Sequence, residues 1–293
     1  MNFATLKGLT IPEGVVTQIT DASGRVLWSA KPAFDLYEDR AVLSVAKITA
    51  DTYAGETTYT GENFLAINVY PQRGGTVNVT FGGLTKTLVD DGTKESPNAK
   101  TIYFGTLYGV SDNVATPASG VLTIEGNFVA YAVGTYTYYN NSKSTTGYCG
   151  CITGISEFGE YVTTIPSYAF RDCTNLALTT LPSGITSIGS YAFHGCTNLA
   201  LTTLPSGITS IATNTFYGCT GITSIIIPAN VVTIGTWAFA KCTNMATATF
   251  EITVGWWLGA YDATEGTAID VSDPAKNASN LKGTTMTDTW HRS

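Results

Sequence analysis

The sequence predicts an all-β chain: an N-terminal hairpin, a β-sandwich-like domain, and a short solenoid closed by a C-terminal cap. Three observations carry this. Phe170, Phe193, Phe216 and Phe239 stand 23 residues apart, and so do Cys173, Cys196, Cys219 and Cys242. A fixed period in the twenties marks coils that bury their apolar residues only against one another. The chain is also rich in Thr, Tyr and Gly, which favour strands and turns, and it lacks a sustained helical apolar period. Lastly, short β-prone runs alternate with turn clusters ahead of the repeats.

Composition bounds the partners. Of 293 residues, 44% are apolar and 13% charged, with a net charge of −7. Cores can be built, and the surface must be largely uncharged. With no run of Lys or Arg, nucleic acid is not an expected partner. No stretch reaches the ~20 apolar residues of a membrane span, so no membrane insertion is expected. Met1 to Val16 lacks a basic start followed by an apolar core, and no signal peptide is read in this chain.

Residues 1–30 form the opening unit, with Val15 to Ile19 and Arg25 to Trp28 flanking an Asp21-Ala22-Ser23-Gly24 turn. That pattern reads as a hairpin. An isolated hairpin is marginal in water, so it is expected to attach the chain, to form a homo-oligomer, or to serve as an edge of the next domain. Residues 31–148 read as a β-sandwich-like domain. Strands are expected at Asn63 to Tyr70, Thr76 to Phe81, Leu84 to Val89, Thr101 to Phe104, Gly120 to Glu125 and Asn127 to Tyr139.

Residues 149–250 form the solenoid. In one coil, Leu178 to Leu181 is expected as a strand stopped by Pro182, and Ile185 to Ile188 as a second short strand. Leu176, Leu181, Ile185, Ile188 and Phe193 face inward; Thr180, Thr186 and Ser187 face out. The four in-phase cysteines are expected as a buried column of inert thiols. Cys149 and Cys151 break that phase, and a C-x-C pair alone points only weakly to a metal. Residues 251–293 lose the period and read as the cap, with a capped short helix or a turn where Asp270-Val271-Ser272-Asp273-Pro274 leads into Ala275 to Leu281, and Trp256-Trp257 over the open end.

Chemistry has little to stand on. Only two histidines exist, and the phase of His194 is filled by Arg171, Tyr217 and Ala240 in other coils, which reads as an exposed, freely varied position. No hydrolase, Walker or dinucleotide phrase is present. The acidic groups Asp35, Glu38, Asp39 and Asp90, Asp91 read as solvated loop carboxylates. No catalytic residue, metal site or cofactor is therefore expected, and the chain reads as a non-enzyme.

Binding has more material. Two residues before each Phe stand Tyr168, Tyr191, Asn214 and Trp237. Facing outward, this column would lay aromatic faces along one solenoid edge, suited to sugars or a protein partner. The plainer account has the rings packing over the turn and shielding it. Tyr131, Tyr136, Tyr138, Tyr139 and Tyr148 form a second Tyr-rich stretch, of a kind used in recognition loops and equally at home in a strand.

The phrase Ile188-Gly189-Ser190-Tyr191-Ala192-Phe193-His194-Gly195-Cys196-Thr197-Asn198-Leu199, recurring near Phe170, Phe216 and Phe239, resembles the BspA-type leucine-rich repeat. About four coils are countable, over roughly a third of the chain. The resemblance implies a surface protein acting in adhesion, as in bacterial and protist members. The opening phrase from Leu6 to Trp28 and the middle segment are similar to proteins encoded by prophages and phages of gut bacteria, beside tail genes. That likeness implies a tail or fibre component that binds the host surface, and it would account for the lack of a signal peptide. Its partners would be a bacterial cell-surface glycan or protein and other virion or tail proteins. The alternatives are a bacterial surface adhesin and a purely structural virion subunit.

Overall fold

The structure is a computed structural model that describes residues 18–20, 26–29, 38–45, 63–92, 99–107, 110–111, 119–133, 136–140, 143–147, 151–260, 264–283 and 288–293. Its contacts divide the chain into two compact units, Met1–Leu36 and Tyr37–Ser293. In the first unit, β1 (Gln18–Thr20) pairs antiparallel with β2 (Val26–Ser29), Ile19 opposite Trp28. The expected turn between them lies outside the described residues.

The second unit opens with β3 (Asp39–Val45), β4 (Asn63–Pro71), β5 (Thr76–Phe81), β6 (Leu84–Val89), β7 (Lys100–Leu107), β8 (Val110–Ser111), β9 (Gly120–Gly126) and β10 (Phe128–Ala132). Then come β11 (Tyr136–Asn140), β12 (Lys143–Gly147) and β13 (Ile152–Glu157). One sheet runs β13-β3-β9-β5-β6 and the other β10-β4-β7-β8. Their inner faces share Leu43, Ile67, Val79, Phe104 and Ile124, all fully buried. Alternation explains this: in β5, Val77, Val79 and Phe81 are buried while Thr76 and Asn78 face water. Gly82 and Gly83, at φ 60° and 80°, form the two-residue turn that aligns Phe81 with Leu84.

Three strand expectations change. Asn127 to Tyr139 is not one strand: β10 ends at Ala132, and the Val133 amide donates instead to the Ala169 carbonyl of the first full turn of the solenoid, at 2.7 Å. The interior strand β3, between β13 and β9, was not anticipated, because it opens on the charged pair Asp39-Arg40. And β13, though beyond Cys149, completes the sandwich sheet by pairing with β3. The apolar core is consequently continuous from the sandwich into the coils.

The coils follow as β14 (Thr164–Ile165), β15 (Ser187–Ile188), β16 (Ser210–Ile211), β17 (Ser224–Ile227), β18 (Thr233–Ile234) and β19 (Thr247–Phe250). β14 pairs with β15, β16 with β18 and β17 with β19, always parallel and one repeat apart. The four phenylalanines stack face to face at 5.2, 5.6 and 5.2 Å. Beside them, the thiols of Cys196, Cys219 and Cys242 donate to the carbonyls of Phe170, Phe193 and Phe216 at 2.9 to 3.0 Å. Burial raises all three thiols, Cys242 to about 12.

Cys173 corrects the thiol-column expectation. It is disulfide-bonded, with its partner outside the described residues. Cys151 is free and buried, its thiol likewise pushed up to about 12. Cys149 lies outside the described residues.

The strand expected at Leu178 to Leu181 does not form. Leu178 is buried and Leu181 half-buried, and they stand three residues apart, so a period of two cannot turn both inward. In β17 the buried pair is Ile225 and Ile227, two apart, and a ladder forms.

The cap consists of β20 (Trp256–Gly259), β21 (Thr267–Ala268), α1 (Pro274–Leu281) and β22 (Thr289–Arg292). Asp273 caps α1, accepting from the Ala275 and Lys276 amides. The side chain of buried Asn277 donates to the carbonyls of Ala248 (3.0 Å) and Val271 (2.8 Å), which meets one acceptor of β19 where a further coil would stand. Lys282 supplies the carbonyl that the Lys241 amide would otherwise find in that coil, at 3.0 Å. Trp256 and Trp290 pack on Phe250. Trp257 is only half-buried and stacks on His291 at 4.2 Å.

Candidate functional site

Each coil turns its corner through tight turns: Ala169, Arg171 and Cys173 donate to the carbonyls three residues back, and the same pattern recurs one repeat later. Such a corner needs a left-handed residue, and the column before the phenylalanines supplies it. Tyr168, Tyr191, Asn214 and Trp237 have φ of 63°, 59°, 56° and 56°. The amides of Tyr168, Tyr191 and Asn214 each donate to the next coil, which fixes the corner.

The column is aromatic but interrupted. Tyr168 and Trp237 are 38% and 39% exposed, while Asn214 is buried at 4%. Tyr168 and Tyr191 stack at 5.0 Å, tilted by 9°, so part of each face is spent on the other ring.

What the column lacks, a neighbouring one supplies. Three residues further along stand Arg171, His194, Tyr217 and Ala240, and here the expectation of an exposed, freely varied position fails. His194 is half-buried and stacks on Tyr217 at 4.8 Å and 2°; its ring also lies 5.7 Å from Tyr191. A continuous strip of rings therefore runs Tyr168, Tyr191, His194, Tyr217. Both ends carry cations: Arg171 lies 5.8 Å from the Tyr168 ring and the Lys241 ammonium 5.3 Å from the Tyr217 ring. Asp172 is the carboxylate among them, 3.3 Å from Arg171 and 3.6 Å from His194. The sequence did hold a signal for this second column, since Arg171, His194 and Tyr217 share one phase.

The second Tyr-rich stretch divides. Tyr131 is core rather than surface: it is 2% exposed and packs edge-on against Phe128 and Phe170. That burial, with Asp39 nearby, holds its phenol well above the ordinary range. Tyr136, Tyr138 and Tyr139 lie on β11, paired with β12. Their side chains and Tyr148 are outside the described residues.

A cleft of about 740 Å³ opens where the sandwich meets the coils, lined in part by Glu38, Asp39, Arg40, Glu125, Glu157 and Glu160. Asp39 is not the solvated loop carboxylate expected; it is nearly buried at the start of β3. Its oxygens accept from the amides of Arg40 (2.7 Å), Glu160 (2.7 Å) and Tyr161 (2.9 Å), so it fixes the turn that ends β13. Arg40 bridges Glu157 and Glu125, which hold its guanidinium above its ordinary value. Asp90 likewise closes a loop, accepting from the Gly74 and Gly92 amides, which lower it below the usual carboxylate range. Asp35 lies outside the described residues.

Residues 134–255, less than half of the chain, match the model of the BspA type leucine rich repeat region in six copies. That is more than the roughly four coils countable from the Phe and Cys columns, and the match begins ahead of both. No curated protein matches the chain. Among solved structures, a leucine-rich repeat protein from Bacteroides ovatus is 21% identical with a TM-score of 0.28, over 40% of this chain and 36% of that one. A leucine rich cell surface protein from Faecalibacterium prausnitzii is 22% identical with a TM-score of 0.25, over 51% of this chain and 57% of that one. The match thus spans less than two thirds of either.

Proposed function

We propose that this chain is a non-enzymatic recognition protein of a bacterial surface, and that the ring strip on its solenoid edge is the contact face. The observation that carries this is the continuity of Tyr168, Tyr191, His194 and Tyr217, ending in cations at both sides. Aromatic faces with polar tips give large contact area at low entropic cost. The match to BspA-type repeats supports a place in adhesion, and the disulfide at Cys173 suits an oxidising exterior.

The finer reading, a phage tail or fibre component that touches other virion proteins, rests on the likeness of the opening phrase from Leu6 to Trp28. Both homes use the same face toward a bacterial cell-surface glycan or protein. In this reading the junction cleft is structural: Asp39 accepts from backbone amides, and Glu125 and Glu157 accept from Arg40.

The test is binding of the labelled full chain to bacterial cells, beside the double variant Tyr191→Ala/Tyr217→Ala. Saturable binding that the double variant loses, with its circular dichroism unchanged, is the expected result. Binding that survives would move the face off the solenoid edge. No binding to any cell, with stable incorporation into particles, would favour a purely structural virion subunit.

A further inference from the structure

We infer that the last corner of the solenoid is a second site, separate from the ring strip, which holds a neutral hexose on the indole of Trp237 with one sugar hydroxyl in a notch beside it. The first observation is a free ring. Trp237 is 39% exposed, and among the described residues no ring or cation lies on it, whereas Tyr168 is covered by Tyr191 and His194 by Tyr217. The second is a gap in the cap. In earlier coils the amides of Tyr168, Tyr191 and Asn214 donate to the Ser190, Thr213 and Thr236 carbonyls one coil further on. Trp237 holds the same phase with no coil beyond it. The cap serves its neighbours on both sides: Ile234 pairs with Trp290 of β22, and the Lys282 carbonyl accepts from the Lys241 amide. Between them, nothing among the described residues accepts from the Trp237 amide. Such a donor calls for an oxygen.

The third observation is the notch. Gly235, Trp237, Ala238, Asn280, Gly283 and Asp288 line much of a cavity of about 10 Å³, room for a single water or hydroxyl. Its chemistry selects the ligand. The Trp237 amide can only donate, while Asp288 is a carboxylate and Asn280 a carboxamide, both with oxygens that accept. A hydroxyl satisfies the two kinds together, because it accepts and donates at once; a carbonyl can only accept. An acidic sugar would meet the Asp288 carboxylate in a chain of net charge −7. The apolar C–H face of a neutral pyranose suits the open indole. Among the described corners no other offers this set: Asn214 is 4% exposed, and the Tyr168 and Tyr191 amides are already engaged.

Native gels containing dextran, mannan or galactan, with polygalacturonate as the acidic control, test this on the full chain. We expect retardation in at least one neutral gel and none in polygalacturonate. Trp237→Asn should weaken it by about tenfold or more, as for loss of a central aromatic anchor. Asparagine already holds this phase at Asn214 with the same φ of 56°, so the corner keeps its shape. Asp288→Ala should weaken it by about three- to tenfold, the worth of one hydrogen bond. Tyr191→Ala/Tyr217→Ala, which strips rings from the other site, should leave it unchanged, so the two sites can fail separately. Retardation in none of the neutral gels would overturn the site and leave the notch to a water. Retardation kept in full by Trp237→Asn, or lost in the strip variant instead, would overturn it as well.

Discussion

The first coils and the last coils share their side-chain columns but not their backbone. Phe170 and Phe193 stack as Phe216 and Phe239 do, and the Cys–carbonyl bonds recur from Cys196 to Cys242. Yet the Leu-Thr-Thr-Leu phrase at 178–181, repeated at 201–204, makes no strand, while Ser-Ile-Ile-Ile at 224–227 pairs along its full length with 247–250. The solenoid is therefore held by its columns, and the ladder on this face is an addition that appears where the apolar register allows it.

Breaking a column should cost most. Phe216→Ala empties a site that is 0% exposed, between two stacked rings, and is expected to cost about 3–5 kcal/mol. Urea denaturation measures it; a loss below that of the cap variant described below would mean the columns are not the principal support.

The thiols offer a way to weaken both halves at once. Cys151 and Cys242 rise from an ordinary 9.0 to about 12 because burial disfavours the thiolate, and Cys196 and Cys219 shift the same way. The folded state thus holds its protons more tightly than the unfolded one. The stabilisation is complete below pH 9 and drains away as pH climbs toward 12. The urea midpoint should be flat from pH 7 to 8.5 and fall steeply by pH 10.5. A flat profile to pH 11 would show that these thiols are not sealed from water.

Asn277→Ala acts on the last coils alone. It removes two buried hydrogen bonds and leaves the Ala248 and Val271 carbonyls without that donor, at an expected cost of about 1–3 kcal/mol. Amide exchange should quicken in β17 and β19 and stay unchanged in β14 and β15. The smallest effect should come from Thr202→Ile, which gives the second coil the apolar residue that β17 carries at Ile225. Thr202 is exposed, so stability should move by less than about 0.5 kcal/mol, while amides at 202–204 gain protection. Unchanged exchange there would refute the register explanation.

The sequence made the columns and most sandwich strands legible because each has a local signature: a fixed phase, or a glycine turn such as Gly82-Gly83. What stayed hidden was decided by contacts far along the chain. β3 and β13 recognise each other across more than a hundred residues, and the exit of the chain from the sheet at Val133 answers to Ala169. Cys173 has the same phase as its free counterparts, so no spacing argument separates it from them. The ring strip escaped for a different reason. Its members alternate between two columns, and Arg, His, Tyr and Ala at one phase look like drift until the stacking of His194 on Tyr217 and its approach to Tyr191 join them.

The solenoid is sealed at one end by the sandwich and at the other by Asn277 and Lys282, both of which imitate a missing neighbour. Sealed ends leave the middle open to change in copy number. A whole 23-residue unit duplicated between Cys196 and Cys219 would meet the same donors and acceptors on both sides as the unit it copies. Each added unit would lengthen the ring strip by one rung, about 5 Å. The solenoid thus has an adjustable length, set by the number of coils and changeable without redesigning either end.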